Sequence, residues 1–286
     1  MSNTSQHFEN KDIIQYYQRT EWVYRNFWKL DLSMGLHFGF WDKETKSLAD
    51  AIVHQNEVMA SLLNIKPEHI VLDAGCGVGG SAIYLAKQRS CTVKGITITP
   101  KQIESAKHYA LKEGVQDKVD FFEMDFTQTN FPDASFDVVW AIESVCHAAD
   151  KKAFLTEAYR LLKPGGQLIV ADYFPTKSSF TPKEYKQVYT NGLNGWAVHE
   201  MCNLDEFTNH CEKLGFHQLR TIIMNDAVAP SVQKLILKNK IWLAPGWLYY
   251  KCGGITKTEF MNAFGAYNFC KAFGSLWNYT VFIAQK

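Results

Sequence analysis

The stretch Ile70-Val71-Leu72-Asp73-Ala74-Gly75-Cys76-Gly77-Val78-Gly79-Gly80 constrains this chain more than any other. A short apolar strand runs into an acid, then into a glycine-dense turn that opens a helix over 81–88, with Ala82, Ile83, Leu85 and Ala86 apolar. Glycines 75 and 77 let the backbone turn tightly and leave room for a ligand, at which the helix start aims its N–H groups. The spacing Gly75-x-Gly77-x-x-Gly80 also satisfies a dinucleotide fingerprint. Such a site, however, wants an acid roughly 20 residues on, at the end of the second strand, to hold ribose hydroxyls. Here that strand reads Thr92-Val93-Lys94-Gly95-Ile96-Thr97-Ile98-Thr99-Pro100 and carries no carboxylate. Asp73, just ahead of the turn, would also face a pyrophosphate at close range, whereas it suits a ligand bearing a cationic amino group. A nicotinamide-dependent oxidoreductase is therefore only a remote alternative.

On these residues the chain resembles the class I S-adenosylmethionine (SAM)-dependent methyltransferases. VLDAGCGVGG matches their first motif, FFEMDF (121–126) looks like their third strand, FDVVWAIESVCHAAD (136–150) like the fourth strand and its loop, and RLLKPGGQLIVAD (160–172) like the helix, turn and fifth strand. Within that family GITITPKQ, MGLHFGFWD and NDAVAPSVQKLI are most similar to the tocopherol-type and sterol-type C-methyltransferases, over nearly the whole chain after about residue 15. The resemblance implies SAM as cofactor and a Rossmann-like seven-stranded α/β sheet that ends in antiparallel strands six and seven. It implies methyl transfer to a small, mainly apolar acceptor (terpenoid, sterol, prenylated phenol or quinol), with carbon as the expected target. N- or O-methylation of an alkaloid, amine or sugar-bearing natural product is the alternative, and a SAM-binding protein without catalysis is a third reading.

From about 52 to 172 helix and strand patterns alternate, as a parallel sheet with crossover helices requires. Thr99 reads as an N-cap and Pro100 as a first-turn proline of the helix after the second strand. After Asp172 the rhythm breaks, and insertions over 173–203 and 225–275, with a helix over 8–30, are expected to cap the carboxyl ends of the strands. The expected division is an N-terminal cap segment (1–50), a SAM-binding core (51–172), and cap insertions with the terminal strands (173–286). Aromatics crowd the N-terminal segment, with Tyr16, Tyr17, Trp22 and Trp28, and the last insertion, with Trp242, Trp247, Tyr249 and Tyr250. As a set they suggest an aromatic-lined pocket for a flat or lipid-like acceptor.

Site residues are assigned on the same basis. Asp73, Gly75, Cys76 and Gly77 form the cofactor turn. Thr97 takes the place of the usual ribose-binding acid, with Ile98 and Gln102 beside it, and similar enzymes use a glutamine at the latter position. Asp125 and Phe126 follow strand three, where a carboxylate would accept the adenine amino hydrogens. Ile142 closes the fourth strand. For chemistry, His147 is the candidate base, since an unperturbed imidazole titrates near 6.5. Glu143, four residues earlier, would share a helical face with it. Asp172 ends strand five, and Tyr17 represents the N-terminal tyrosine that related amine methyltransferases place over the sulfonium. Cys146 and His37 read as structural.

Composition narrows the partners. At 286 residues the chain holds one substantial core with a cap. Its formal charge of +1 leaves no electrostatic footprint for a nucleic-acid backbone. The seven cysteines are scattered without a Cys-x-x-Cys pair, which argues against zinc and for reduced thiols in a cytoplasmic setting. The polar start has no signal-peptide core, and no apolar run reaches the ~18 residues a membrane span needs.

Overall fold

The computed structural model of the chain describes residues 8–286, and part of the expected N-terminal segment, residues 1–7, lies outside the described residues. In chain order the elements are α1 (Asn10–Phe27), α2 (Leu30–Ser33), α3 (Leu48–Ser61), β1 (Ile70–Ala74), α4 (Gly80–Gln88), β2 (Thr92–Thr97), α5 (Pro100–Lys112), β3 (Val119–Glu123) and β4 (Phe136–Ile142). They continue as α6 (Lys151–Leu161), β5 (Leu162–Pro175), α7 (Pro182–Tyr185), α8 (Leu204–Leu214), β6 (His217–Ile223), α9 (Asn225–Lys251), α10 (Lys257–Cys270) and β7 (Trp277–Gln285). The strands make one seven-stranded sheet in the order β3-β2-β1-β4-β5-β7-β6. The first five pair in parallel, whereas β7 runs antiparallel to both β5 and β6. The order reverses between β1 and β4, and ligands of open α/β sheets settle beyond the carboxyl ends of strands at such a crevice.

Side-chain alternation along the strands feeds two apolar layers. Val71, Val93, Val138, Trp140, Ile169 and Val281 point to one face, where they meet Met59 of α3, Ala82 of α4 and Ala106 of α5. Leu72, Ile96, Val139, Leu168, Val170 and Phe282 point to the other, against Phe154 and Leu155 of α6 and Phe207 of α8. Helix starts are fixed by side chains: Ser47 and Asp50 form a capping box on α3, and Asp150 accepts from the Lys152 N–H at the start of α6.

Two local expectations change. Strand five is longer than 167–171, because Leu162 pairs with Phe136 ahead of an irregularity in the register between Phe136 and Val138, and residues 172–175 go on pairing with β7. Strands six and seven are joined through α9 and α10, where the insertion over 225–275 is expected. Among the aromatics of the last insertion, Phe269 is buried in the core of the cap. Phe269 stacks on Trp277 at 4.3 Å, with Trp196, Tyr173 and Phe38 packed around that pair. Trp242, Trp247 and Tyr249 are 38%, 52% and 51% exposed, and none of them lines the cavity beside the glycine turn.

Candidate active site

The turn after β1 does what its glycines suggested. Gly75 has φ +86°, and a Cβ there would collide with Ser144. The Gly75 and Cys76 N–H groups are tied to the Ile96 carbonyl, which locks the turn to β2. At Gly77, with φ +53°, a Cβ would point into open space with only Leu36 within reach, so a side chain would enter the cavity that the turn borders. That cavity holds about 780 Å³ of empty space, counted out to its open mouth. Asp73, Gly75, Cys76 and Gly77 line it from β1 and its turn, Thr97 and Ile98 from the end of β2, Gln102 from the first turn of α5, and Phe126 and Ile142 from the next strand ends.

Two buried polar atoms in this wall lack a partner: Oδ2 of Asp73 and Oγ1 of Thr99. Burial alone pushes the Asp73 carboxyl up to about 7. Thr99 is the N-cap residue of α5 and Pro100 opens the helix, as expected, but the Thr99 hydroxyl makes no cap bond. A buried group without a partner is costly in a folded protein, so an orphaned carboxylate oxygen and hydroxyl beside an open glycine turn fit a ligand with a cation and a polar partner. Thr97 donates to Gln102 Oε1 at 2.8 Å, which fixes both side chains at the cavity edge.

Asp125 is not brought to the cavity wall. Its Oδ1 accepts from the Thr127 N–H and hydroxyl, and its Oδ2 from Asn10 Nδ2 at 2.8 Å, because the short turn after β3 bonds to its own acid. Phe126, one residue on, takes the place at the wall.

On the other side stands the segment after β4. Glu143 and His147 both line the cavity but do not stack on one helical face. Glu143 sits in the left-handed region at φ +46°, and only a 3-10 turn over Val145–His147 follows. Their partners therefore differ. Glu143 Oε1 accepts from the Phe38 N–H at 2.9 Å and from the Tyr279 hydroxyl at 2.8 Å. Its deep placement pushes the carboxyl up to about 8. His147 Nε2 lies 3.0 Å from the Tyr17 hydroxyl, and Nδ1 lies 3.2 Å from the Ala197 carbonyl. A carbonyl only accepts, so Nδ1 carries the proton and Nε2 accepts from Tyr17. Burial draws the imidazole down from 6.5 to about 4, which keeps it neutral at physiological pH and corrects the unperturbed value expected for it. Burial raises the Tyr17 hydroxyl well above 10, so Tyr17 donates.

Asp172 stays out of the cavity. It accepts from the Cys146 and Tyr173 N–H groups, each at 2.9 Å, and so anchors the 3-10 turn that carries His147. Cys146 is buried, and its thiol is pushed well above 9, the state of a packed thiol. His37 also lines the cavity. Its Nδ1 bonds Gln55 Oε1 at 2.8 Å, and burial holds it at about 4. Tyr279, which donates to Glu143, and Gln55, which donates to Tyr279 at 2.7 Å, were not singled out from sequence. No local pattern marks them, since Tyr279 is 136 residues from Glu143. Among the described residues no cluster of metal-ligating side chains is found.

A nucleotide-type turn at the sheet's reversal, an orphaned acid above it and a neutral Tyr–His pair across the cavity define the site of a class I methyltransferase fold. The family described as "Methyltransferase domain" matches residues 72–170. The chain is 35% identical over 184 residues to 27-O-demethylrifamycin SV methyltransferase of Amycolatopsis mediterranei, covering 63% of this chain and 65% of that protein. It is 32% identical over 212 residues to 2-methyl-6-phytyl-1,4-hydroquinone methyltransferase of Synechocystis, covering 72% of this chain and 65% of that protein. The match thus spans just under two thirds of either relative's own length. In fold it superposes on geranyl diphosphate C-methyltransferase from Streptomyces coelicolor with a TM-score of 0.73, at 17% identity and over 96% and 97% of the two chains. Residues 72–170 thus match a methyltransferase domain, and the chain is similar in sequence and in fold to class I SAM-dependent methyltransferases.

Proposed function

We propose that this chain transfers a methyl group from SAM to a small, mainly apolar acceptor carrying an acidic hydroxyl, with a prenylated phenol or quinol as the favoured class and ring carbon as the target. The observation that carries this reading is the Tyr17–His147 pair, a hydroxyl donating at 3.0 Å to the free nitrogen of a neutral imidazole at the cavity wall. A phenol attacks through ring carbon when its proton has left, and this pair can take that proton. The acceptor hydroxyl gives its proton to Tyr17 Oη as Tyr17 passes its own to His147 Nε2, while the Ala197 carbonyl holds the ring from the other side. Asp172 acts as a positioning residue, since it fixes the turn that presents His147.

SAM supplies an electrophilic sulfonium methyl when bound. In this reading the carboxylate of Asp73 faces its amino group, the open space over Gly77 admits its methionine portion, and Thr97, Thr99 and Gln102 hold its ribose hydroxyls. Phe126 and Ile142 flank its base. Asp125 acts indirectly, through the turn that places Phe126. Methyl displacement asks the protein mainly to align and desolvate two reactants, and the cavity's lining suits that task. The relative named for a phytyl hydroquinone supports the acceptor class. The relative named for an O-methylation keeps the hydroxyl oxygen itself as the second reading, because the same pair would deprotonate it. The nearly balanced net charge speaks against nucleic acid as partner, and seven free thiols fit a reducing cytoplasm.

The test is a panel of a prenylated hydroquinone, a sterol and a tertiary amine with methyl-labelled SAM, read by mass and by carbon NMR of the product. A ring C–CH₃ signal from the hydroquinone is expected. An O–CH₃ signal establishes the second reading, and labelling of the amine alone overturns both.

A further inference from the structure

The outer half of α9 presents an apolar stripe that the protein does not cover. Leu237, Ile241, Ala244 and Leu248 fall at i, i+4, i+7 and i+11, one face of a helix, and the three large ones are 61%, 69% and 60% exposed. The opposite face is occupied: Gly246 is buried, and Tyr250 stacks on Phe260 of α10 at 5.6 Å. At 3.6 residues per turn, Lys240 and Lys251 fall on one flank of the stripe, with Trp247, and Lys234 and Lys238 on the other, with Tyr249 further round. The Lys234 ammonium sits 3.5 Å from the centre of the Trp41 ring, and Trp242 packs against Gly246 on the opposite face. Between Asp226 and Glu259 the chain has lysines at 234, 238, 240, 251 and 257 and no acid at all, in a molecule whose whole formal charge is +1.

We propose that this face of α9 docks on the surface of an anionic lipid bilayer. An apolar stripe edged by indole and phenol rings and bordered by lysines is what a helix lying in a headgroup layer needs. The stripe enters the acyl boundary, the aromatic rings sit at the headgroups, and the ammonium groups reach anionic phosphates. Charge selects this occupant over a second copy of the chain, because a two-fold contact would set one row of lysines against another. The helix is not a membrane span: no helix among the described residues is long and apolar enough to cross one. The inner end of the same helix holds residues 34–41, a strap whose Leu36 and His37 line the cavity. Ser231 donates to the Phe38 carbonyl, and Trp41 donates through Nε1 to Ser231 at 2.7 Å and through its backbone to the Ala227 carbonyl at 2.8 Å. The lipid-facing helix therefore continues into the strap whose Phe38 N–H meets Glu143.

The test is co-sedimentation of the full chain with vesicles of phosphatidylcholine alone and of phosphatidylcholine containing one third phosphatidylglycerol, at 50 mM and 500 mM salt as rough working points. Pelleting with the anionic vesicles is expected, at least about tenfold weaker at high salt or on neutral vesicles. The surface triple variant L237S/I241S/L248S should lose pelleting while keeping the parent melting temperature and SAM affinity. The K240Q/K251Q variant should weaken it by roughly fivefold per lysine. Equal pelleting of parent and triple variant, or equal binding to neutral and anionic vesicles, overturns the proposal. So does a dimer in light scattering that the triple variant abolishes, with no vesicle binding by the parent.

Discussion

Asp73 sets folding against binding more sharply than any other residue in the site. One of its oxygens is buried without a donor, and burial pushes its carboxyl up to about 7. Replacing it by Asn removes a charge the empty protein must otherwise bury. Asp73→Asn should therefore raise the melting temperature of the ligand-free protein at pH 8, by roughly 1–3 kcal/mol of stability. It should also weaken SAM binding about 10- to 100-fold through loss of a charge-assisted bond. Melting curves and titration calorimetry on the same samples check both, and unchanged affinity would remove Asp73 from the cofactor site. The same carboxyl gives a pH signature. With Asp73 half-protonated near 7 in the free enzyme, kcat/KM for SAM should fall as pH drops below about 7, whereas the His147 limb belongs near 4. The fall in kcat/KM should persist in His147→Ala and vanish in Asp73→Asn.

At the scale of elements, what could be read from sequence was what neighbours in the chain decide. The β1–turn–α4 unit, the helix after Pro100 and the cavity places of Asp73, Gly77, Thr97, Gln102 and His147 all follow from residues a few positions apart. The pairing of Glu143 with His147 fails for a local reason that spacing does not carry: φ +46° at Glu143 turns its side chain toward Phe38 and Tyr279. Those partners lie 105 and 136 residues away, and no periodicity announces them. Counting aromatics likewise could not separate rings that stack inside the cap from rings that face out. The element that most depends on long-range contacts is α1, which carries Tyr17 to the cavity. It is held by Asn10 to Asp125, by Tyr17 to His147, and by the Asn262 amide donating to Tyr16 at 2.6 Å. Cofactor and acceptor should tighten it. Amide exchange in α1 should slow at least about tenfold when SAM and acceptor are both bound, against little change in β1 or β4. Equal protection of α1 with and without ligands would show that it does not move.

Across the whole molecule, the buried titratable groups of the site set an opposed pair of pH effects. Asp73, Glu143 and Asp172 have carboxyls raised to about 7, 8 and 6 by burial. A carboxyl whose pKa is raised on folding favours the fold fully below its unfolded value near 4, and that contribution is lost as pH rises through the folded value. His37 and His147, lowered to about 4, favour the fold above 6.5 and lose that contribution as pH falls toward 4. Between about pH 4.5 and 6 three carboxyls lose their contribution while two imidazoles gain theirs. These groups therefore place the greatest stability of the ligand-free protein near about pH 4 to 4.5 and soften it toward about pH 8. Saturating SAM should restore part of that loss by binding ionised Asp73, so its thermal shift should grow from pH 6 to pH 8. A shift that shrinks over that range would contradict the placement of a cation at Asp73.

The central claim is that Tyr17 and His147 take the acceptor's proton during methyl transfer, and single-turnover kinetics with methyl-labelled SAM and a prenylated hydroquinone test it most directly. His147→Ala is expected to slow the methyl-transfer step by roughly 10²–10⁴-fold and Tyr17→Phe to slow it comparably, with SAM affinity unchanged within about threefold in both. Near-parental single-turnover rates in both variants would contradict the account and move the proton to another group.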